Sequence, residues 1–475
     1  MVSVPLPTTS MPGQYQQESG GRLINCFVES LGETAAAKFV QRRVPGMLEF
    51  GTTAQETFRS GIQVGSLAYS AWDTKVEIHT SAGGAGTALT GNLTGSDGVF
   101  WARNNASTPD VVAVSPANGA FEVTTSAVSA YSDSDVGAPN SVIDIASYFV
   151  FSYGDGRMRS SGINTVAINT LDTAFAESKP DTLYRVGRRG RTLLAAGSGS
   201  IEFWDLNNEG SGFPFSWTAT HDRGIIGRYA WAGDQDGWGY GHFFAADDFS
   251  VRQLEGYSST KISPPDLDRL IEAVTDKQTI RMSVYVTQGH SWVVVQSNDW
   301  TWEFDVILQR WHERQSYNRT RWKGSYPFKA FDKWLCGNIA DGEDARLFSI
   351  DTLTRTEDGE PLLCDIETGP VGGFPNWVSV DSISVLCSVG VGIASGADPI
   401  ETDPSIMIFI SKDNGISWSN PFIRKLGAQG HGLQRVTVND CGHCGPQGLK
   451  LKFRVSDPVH VGIMGCDAEV TALAA

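Results

Sequence analysis

A β-hairpin pattern recurs along the sequence at intervals of similar length. Each copy has an apolar strand, a short turn rich in Gly, Asp, Asn or Ser, and a second strand that often carries aromatic residues. The seven copies span residues 66–79, 111–123, 148–158, 192–204, 242–254, 292–304 and 334–350. Gly, Asn and Asp tolerate the positive φ of tight turns, so these turns suit hairpins.

The spacing of the hairpins predicts a repeat architecture. One residue in each second strand marks it: Val76, Phe121, Met158, Phe203, Val251, Phe304 and Phe348. Successive markers lie 45, 37, 45, 48, 53 and 44 positions apart, close to the roughly 40–50 residues of one four-stranded propeller blade. We therefore predict an all-β fold with a β-propeller-like body of six or seven hairpin-based blades, and a multi-sheet β protein is the alternative. The blade count stays open because a strand pair drawn from the two ends of the chain can close such a ring.

One segment departs from the β pattern. Ser263 is followed by Pro264 and Pro265, and then by apolar residues spaced i, i+3, i+4 and i+7. Those apolar residues are Leu267, Leu270, Ile271 and Val274. The pattern predicts a short amphipathic helix with Ser263 as its N-cap and Pro264 in the first helical position.

The strand pattern changes beyond residues 351–361, where the composition turns polar. Strands are predicted at 382–391, 405–410, 434–438 and 449–455. The last of these alternates, with basic residues on one face, whereas 406–410 is a continuous apolar run typical of a strand buried on both faces. These strands predict a smaller C-terminal β-sandwich-like domain at 356–475. The body would span 61–355, and 1–60 would be an N-terminal arm contributing to the propeller.

Charge and hydropathy disfavour several classes of protein. The chain has 53 acidic and 37 basic residues, a formal net charge of −16. Because such a chain repels phosphate, a DNA-binding protein held by counterion release is disfavoured. No basic residue precedes Arg22, so a secretory signal is not predicted. The longest apolar run, 385–394, is too short to span a membrane. We expect synthesis in the cytoplasm and no membrane span.

The seven cysteines form an odd and scattered set. They are Cys26, Cys336, Cys364, Cys387, Cys441, Cys444 and Cys466. Several lie in apolar contexts, so we expect small core residues rather than a disulfide framework. Cys441 and Cys444 form a C-x-x-C motif, but they fall between two predicted strands, at an expected hairpin tip, and not at the helix N-terminus that a redox motif needs. A zinc ion there would need two more ligands, for which His431 and Cys466 are the nearest candidates.

Residues Ser411–Trp418 match the pattern S-x-D-x-G-x-[ST]-W, which recurs on sialidase propellers as a structural turn. Here the pattern occurs once and lies outside the predicted propeller. A sialidase also needs an arginine cluster and a nucleophilic tyrosine, and the arginines at 42–43, 185–191 and 319–321 give no placed triad. We predict no enzyme and no catalytic residues. A receptor-binding or glycan-cleaving (sialidase-like) propeller is the alternative.

The densest basic run is Tyr184–Arg191 (YRVGRRGR). One hypothesis is contact with DNA or an acidic partner, and the other is a solvated turn. No P-loop, nucleophile elbow or H-E-x-x-H motif occurs in the sequence.

Several motifs, taken in chain order, resemble those of a known family. RLINCF at 22–27 and RVPG at 43–46 stand near the start, and LKLKFRV at 449–455 follows the 411–418 turn near the end. Between them lie GSGSIEFW at 197–204, RGIIGRY at 223–229 and KIS at 261–263 with the predicted helix. Their order resembles the tail hub of short-tailed bacteriophages (podophages), also called the tail nozzle or packaged-DNA stabilisation protein.

The resemblance implies a structural virion protein and not an enzyme. We predict no catalytic residues and no cofactor, and the sequence leaves open whether Cys441 and Cys444 bind a metal. Members of that family form a homo-hexameric ring below the portal and its adaptor, the head-to-tail connector. The ring continues the DNA channel, retains the packaged genome and passes it during ejection, without sequence-specific binding of the double-stranded DNA. It carries a tailspike or tail fibre and a needle or gate protein. The implied location is the virion tail, after synthesis in the bacterial host cytoplasm.

Overall fold

The computed structural model describes residues 2–207, 212–338, 344–372 and 374–473. These residues are almost entirely β structure, as predicted, and they contain a single α-helix, of nine residues. No helix in the described ranges is long and apolar enough to cross a membrane. The chain folds into two compact units that alternate along the sequence. The propeller unit comprises Glu49–Asn298 and Lys323–Ile350, and the sandwich unit comprises Met1–Leu48, Asp299–Trp322 and Asp351–Ala475.

The propeller unit is built from antiparallel sheets that follow one another along the chain. Blade 1 has strands Phe58–Val64, Leu67–Trp72, Lys75–His79 and Thr87–Ala88, and blade 2 has Phe100–Arg103, Val111–Ser115, Gly119–Val123 and Val128–Ala130. Blade 3 has Ser141–Ile145, Tyr148–Ser152, Arg157–Ser161 and Ile168–Phe175, and blade 4 has Leu183–Arg189, Thr192–Gly197, Ile201–Leu206 and Phe215–His221. Blade 5 has Trp231–Ala232, His242–Ala245, Val251–Glu255 and Ser258–Lys261.

Two further blades bring the count among the described residues to seven. Blade 6 begins with the hairpin Arg281–Thr287 and His290–Gln296. Blade 7 has strands Gly324–Ala330, Lys333–Asn338 and Arg346–Asp351, and its fourth strand is Gly46–Thr52, from far upstream. A strand drawn from near the start of the chain therefore completes the last blade.

Each predicted hairpin in blades 1–5 and 7 is the pair of middle strands of its blade. Middle strands lie between neighbouring blades on both faces, which is why they read as apolar runs: every residue of Val111–Ser115 is buried. The outermost strand of blade 1, Thr87–Ala88, is exposed and short. The strongest periodic signal therefore comes from the strands with the deepest burial.

Apolar clusters hold consecutive blades together. Tyr69 and Phe121 belong to the cluster of blades 1 and 2, while Val150 and Trp204 belong to that of blades 3 and 4. Each such side chain contributes about 1.5–3 kcal/mol when fully buried. The large number of apolar and aromatic residues is thus used at the contacts between blades.

The helix spans Pro265–Ala273, with Leu267 and Ile271 buried. Its N-cap is Pro264, and Pro265 occupies the first turn, so the predicted N-cap at Ser263 is wrong by one residue. The Ser263 hydroxyl is used elsewhere, because it accepts a hydrogen bond from the Val251 amide (2.9 Å) and contacts the Asp268 carboxylate.

The sandwich unit contains two sheets. One has the strand order Cys26–Ser30, Phe39–Arg43, Gly462–Ala472, Val378–Cys387 and Val436–Cys444, with Val2–Ser3 also on Gly462–Ala472. The other has the order Thr301–Asp305, Arg310–Glu313, Gly21–Ile24, Cys364–Thr368, Lys450–Val455, Ser405–Ser411 and Phe422–Lys425. Two short strands, Thr356–Glu357 and Glu360–Pro361, form a hairpin. A shared core that includes Ile383, Ile408 and Phe453 packs the two sheets together.

One detail of this unit differs from the sequence prediction. The run at 406–410 is not buried on both faces, because Met407 and Phe409 are only half-buried while Ile406, Ile408 and Ile410 lie in the core. Phe409 instead lies beside the cations of the neighbouring strand, 5.9 Å from that of Arg454. Residues 1–48 belong to the sandwich unit in the division given above. The predicted domains, with boundaries at residues 60 and 355, stay a prediction.

Candidate functional site

The first strand of every blade lines one central cavity. One lining residue from each blade is Ile62, Phe100, Ile143, Arg185, Trp231, Met282 and Phe328. The cavity thus lies on the axis of the propeller, where side chains from blades far apart in sequence meet.

Aromatic side chains close this axis. The Phe100 ring of blade 2 stacks on Tyr229, which immediately precedes blade 5, with centroids 5.5 Å apart and planes within 8°. Tyr229 also contacts Tyr326 of blade 7 at 6.2 Å, and its hydroxyl donates to the Gly98 carbonyl at 2.9 Å. Burial raises the pKa of Tyr229, so its hydroxyl stays protonated. These rings lie in contact with one another at the axis. The major groove of DNA alone is about 12 Å wide, so a duplex cannot pass between them.

A buried ion pair lies next to these rings. The Arg185 guanidinium lies 5.0 Å from the Phe100 ring centroid and bonds the Asp234 carboxylate at 2.8 Å. His242 Nε2 lies 3.4 Å from the other Asp234 oxygen. Burial by itself would raise the pKa of Asp234, but His242 and Arg185 together lower it to about 2. Asp234 is therefore a fixed anion that holds Arg185 in the cavity.

More charge pairs stand at the mouth of the cavity. Arg188 contacts the Asp144 carboxylate and lies 3.3 Å from Asp236, and Arg103 bonds Asp236 at 3.2 Å. The Arg188 amide donates to Asp234 at 2.9 Å. Three aspartates thus match three arginines around the axis.

This arrangement changes the interpretation of the basic run 184–191. The run is not a solvated turn, because most of it forms Leu183–Arg189, the first strand of blade 4. Arg185 and Arg188 are paired with carboxylates, and Arg189 packs 5.2 Å from the Phe203 ring centroid. The partner carboxylates, at 144, 234 and 236, were missed by sequence reasoning. The only local signal was the Gly-rich segment GDQDGWGYG at 233–241.

The Ser411–Trp418 pattern forms a local turn in the sandwich unit. The Asp413 carboxylate accepts hydrogen bonds from the Ser417 amide at 2.9 Å and the Ser411 hydroxyl at 2.7 Å, and Ser411 Oγ accepts from the Gly415 amide. The hydrogen bonds from Ser417 and Ser411 lower the pKa of Asp413 to about 2. The carboxylate is thus occupied by its own turn.

We expect Asp413→Asn to lower the melting temperature at pH 7 and to have little effect near pH 2. The pKa of Asp413 is depressed in the folded state, so its stabilising effect is present above the ordinary aspartate pKa and is lost as pH falls through about 2. Thermal unfolding of both proteins between pH 7 and pH 2 measures this. A difference that stays constant across that range contradicts the assignment.

The cysteines behave as core residues, as predicted. All seven are free and buried. Cys441 and Cys444 lie within the strand Val436–Cys444, so the predicted hairpin tip is wrong. Burial raises the pKa of Cys441 to about 11 and that of Cys466 to about 12. His431 is exposed, and the described part of the chain contains no group of three or more side chains able to hold a metal ion.

The arginines considered for a sialidase triad are divided between the two units. Arg42, Arg43, Arg319 and Arg321 belong to the sandwich unit, whereas 185–191 belong to the propeller unit. Arg42 pairs with Glu29, and Arg43 donates to the carbonyls of Val455 and Asp457 at 2.8 and 2.9 Å.

The chain was compared with curated proteins and with solved structures. No curated protein matches the sequence. Among solved structures, U3-55K is 11% identical, with 64% of this chain and 99% of that chain covered and a TM-score of 0.40. BamB from Moraxella catarrhalis is 12% identical, with 68% and 92% covered and a TM-score of 0.38.

Two family models match in the order of the fold. The one for the β-propeller of bacteriophage P22 Gp10 matches residues 24–352, and the one for the β-sandwich of the same protein matches 375–471. Together they span most of the chain and agree with its propeller and its sandwich. The chain therefore belongs to the bacteriophage P22 Gp10 family of structural proteins of the phage virion tail.

Proposed function

We propose that this chain is the tail hub, or nozzle, of a podophage and assembles as a homo-hexameric ring below the portal and its adaptor. The ring continues the DNA channel, retains the packaged genome and passes it during ejection. The observation that carries this proposal is the ordered match of both family models, at 24–352 and 375–471. Closed cyclic symmetry is the usual way for one chain to build such a ring.

The closed propeller axis supports a particular route for the DNA. Phe100, Tyr229 and Tyr326 meet in the centre of each propeller. A channel through the hub must then lie between copies of the chain and not within one copy.

The charge of the chain suits such a conduit. Its formal net charge is −16, and the arginines of the propeller centre are matched by aspartates. An acidic surface repels phosphate, so the genome can slide past it without being held by salt-dependent contacts.

Exposed apolar loops supply a surface for partners. Phe374, Trp377 and Ile416 are 83%, 52% and 66% exposed. Their loops reach the same end of the sandwich, because Val371 bridges to Leu449 and Asn414 Nδ2 bonds Gln447 at 3.3 Å. Exposed apolar clusters of this kind mark contact sites. We assign this end to contacts within the tail, with the portal–adaptor, a tailspike or fibre, a needle or gate protein, or the next copy.

The function is tested by adding purified chain to DNA-filled capsids that carry portal and adaptor but lack the hub. We expect each capsid to gain six copies, measured by quantitative gel analysis, and its DNA to become resistant to nuclease. A chain that stays monomeric and leaves the DNA accessible contradicts the proposal.

The double variant Phe374→Ser, Trp377→Ser should bind the same capsids at least about tenfold more weakly, because it removes an apolar contact surface. Its melting temperature should stay close to that of the wild type, since both side chains are exposed. The matched control is Leu353→Ser, another exposed apolar residue (85%), which should bind normally. Equal binding of the double variant and the control would show that this surface does not contribute to binding of the capsid.

The alternative of a glycan-cleaving propeller has less support. A sialidase-type site needs arginines free to bind a carboxylate, whereas Arg103, Arg185 and Arg188 are engaged with aspartates at the propeller centre.

A further inference from the structure

We propose that the mouth of the propeller cavity binds a neutral saccharide, with Trp238 and Tyr240 as the stacking platform and Arg103, Arg188 and Asp236 as the hydrogen-bonding groups. The proposal concerns binding only. It is independent of the ring, because every residue that carries it lies within one propeller unit.

The site is built by the loop 233–241 of blade 5, which reaches over the central cavity. Its Asp236 meets Arg103 of blade 2 and Arg188 of blade 4. Its Gly237 packs closely against the side chain of Lys329 of blade 7. The space is so small that a Cβ atom at position 237 would lie only 2.4 Å from Lys329 Cδ. The loop is thus fixed at several points around the axis, and the binding groups are held in place before a ligand arrives.

Two aromatic rings stand on this loop. Trp238 and Tyr240 pack edge to face with centroids 5.1 Å apart, and Tyr240 is 40% exposed. The Trp238 indole N–H donates to the Gly241 carbonyl at 2.7 Å, which fixes the orientation of the ring. Gly237 and Gly241 have φ values of +81° and +86°, a conformation that other residues rarely adopt. Amphipathic rings held in this way present an apolar face to the C–H groups of a sugar ring.

Arg103, Arg188 and Asp236 line the same depression as Trp238 and have unused hydrogen-bonding capacity. A carboxylate offers about four lone-pair sites and a guanidinium five N–H donors, while Asp236 and Arg103 use few of them in their mutual bond at 3.2 Å. Deeper in the cavity, Arg185 Nε and Trp231 Nε1 are buried without a hydrogen-bond partner among the described residues.

The charge balance decides the class of ligand. Arg103, Arg185 and Arg188 are matched by Asp144, Asp234 and Asp236, and Lys329 is a further cation in the lining. An anion would therefore meet carboxylates as well as cations, and a cation would be repelled by the arginines and Lys329. Hydroxyl groups both donate and accept hydrogen bonds. A neutral polyhydroxylated ring therefore uses the cations, the carboxylates and the aromatic platform of the site, as small-ligand sites with a few convergent polar groups do.

The test uses protein labelled with 5-fluorotryptophan and three neutral probes: maltohexaose, cellohexaose and mannohexaose. The Trp238 resonance is assigned with Trp238→Phe and followed by ¹⁹F NMR during titration. We expect at least one probe to shift it with a Kd on the order of 1 mM. Trp238→Ala should weaken binding at least about tenfold.

The matched control is Trp217→Ala. Trp217 is 56% exposed on the outermost strand of blade 4, and its indole N–H is also bonded, to Thr220 at 3.0 Å. Trp217→Ala should leave the affinity for the probes unchanged. Circular dichroism is used to check that both alanine variants fold. The proposal is overturned if none of the three probes shifts the Trp238 resonance, or if Trp238→Ala and Trp217→Ala bind alike. Neither result bears on ring assembly, which the capsid experiment measures separately.

Discussion

Replacing Arg314 with Met is expected to destabilise the sandwich unit by about 3–5 kcal/mol, because it removes a buried guanidinium that pairs with two buried carboxylates. Arg314 is fully buried and bonds Glu303 at 3.1 Å and Glu357 at 3.5 Å. It also donates to the Pro45 carbonyl at 2.9 Å and packs 4.0 Å from the Trp322 ring centroid. One side chain therefore joins all three chain segments of the unit.

Denaturant unfolding, followed by circular dichroism, measures this loss. Arg269→Met is the matched control, since Arg269 has a 45% exposed side chain and pairs with Asp266 on one helix face. Exposed pairs of this kind contribute only about 0–1 kcal/mol. If Arg314→Met and Arg269→Met unfold at the same denaturant concentration, the buried network does not have the role assigned to it.

The second large effect is expected at Arg59, in blade 1. This buried guanidinium donates to the carbonyls of Asp97 at 2.6 Å and Asp73 at 2.7 Å, and to the Ser115 hydroxyl at 2.7 Å. It thereby ties the loop between blades 1 and 2 to both blades. Arg59→Met should cost about 3–5 kcal/mol, since each unsatisfied buried polar group costs about 1–3 kcal/mol.

Hydrogen exchange of residues 93–98 provides the readout for Arg59. We expect Arg59→Met to speed exchange there far more than in blade 4. Arg59→Lys should restore part of the protection, because an ammonium group keeps the charge but has fewer donors in a different geometry. Unchanged exchange at 93–98 in Arg59→Met would show that the loop is held by other contacts.

The blades were predictable from the sequence because their middle strands are buried on both faces. Val111–Ser115 and its neighbour Gly119–Val123 are joined by a short turn, so pattern and turn chemistry lie within one local window. The closing of the ring was not predictable in this way. Gly46–Thr52 completes a sheet whose other strands begin at Gly324, and no local pattern encodes such a distant pairing.

The candidate site was likewise predictable only in part from the sequence. The arginines at 185 and 188 were visible as a basic run, but their partner Asp234 lies more than forty residues away in sequence. Only the meeting of the first strands at the axis brings them together. The prediction of Ser263 as the helix N-cap was wrong because of another contact outside the local sequence. The Ser263 hydroxyl is bonded to Val251 of a preceding strand.

We propose that DNA passes between copies of this chain while each propeller stays closed. A cryo-EM reconstruction of the virion tail that carries this chain tests this route. We expect a sixfold ring below the adaptor, a duplex-wide opening on the ring axis, and continuous density for Phe100, Tyr229 and Tyr326 in each propeller centre. A reconstruction in which DNA density runs through a propeller, or in which the chain does not form a ring on the tail axis, would contradict it.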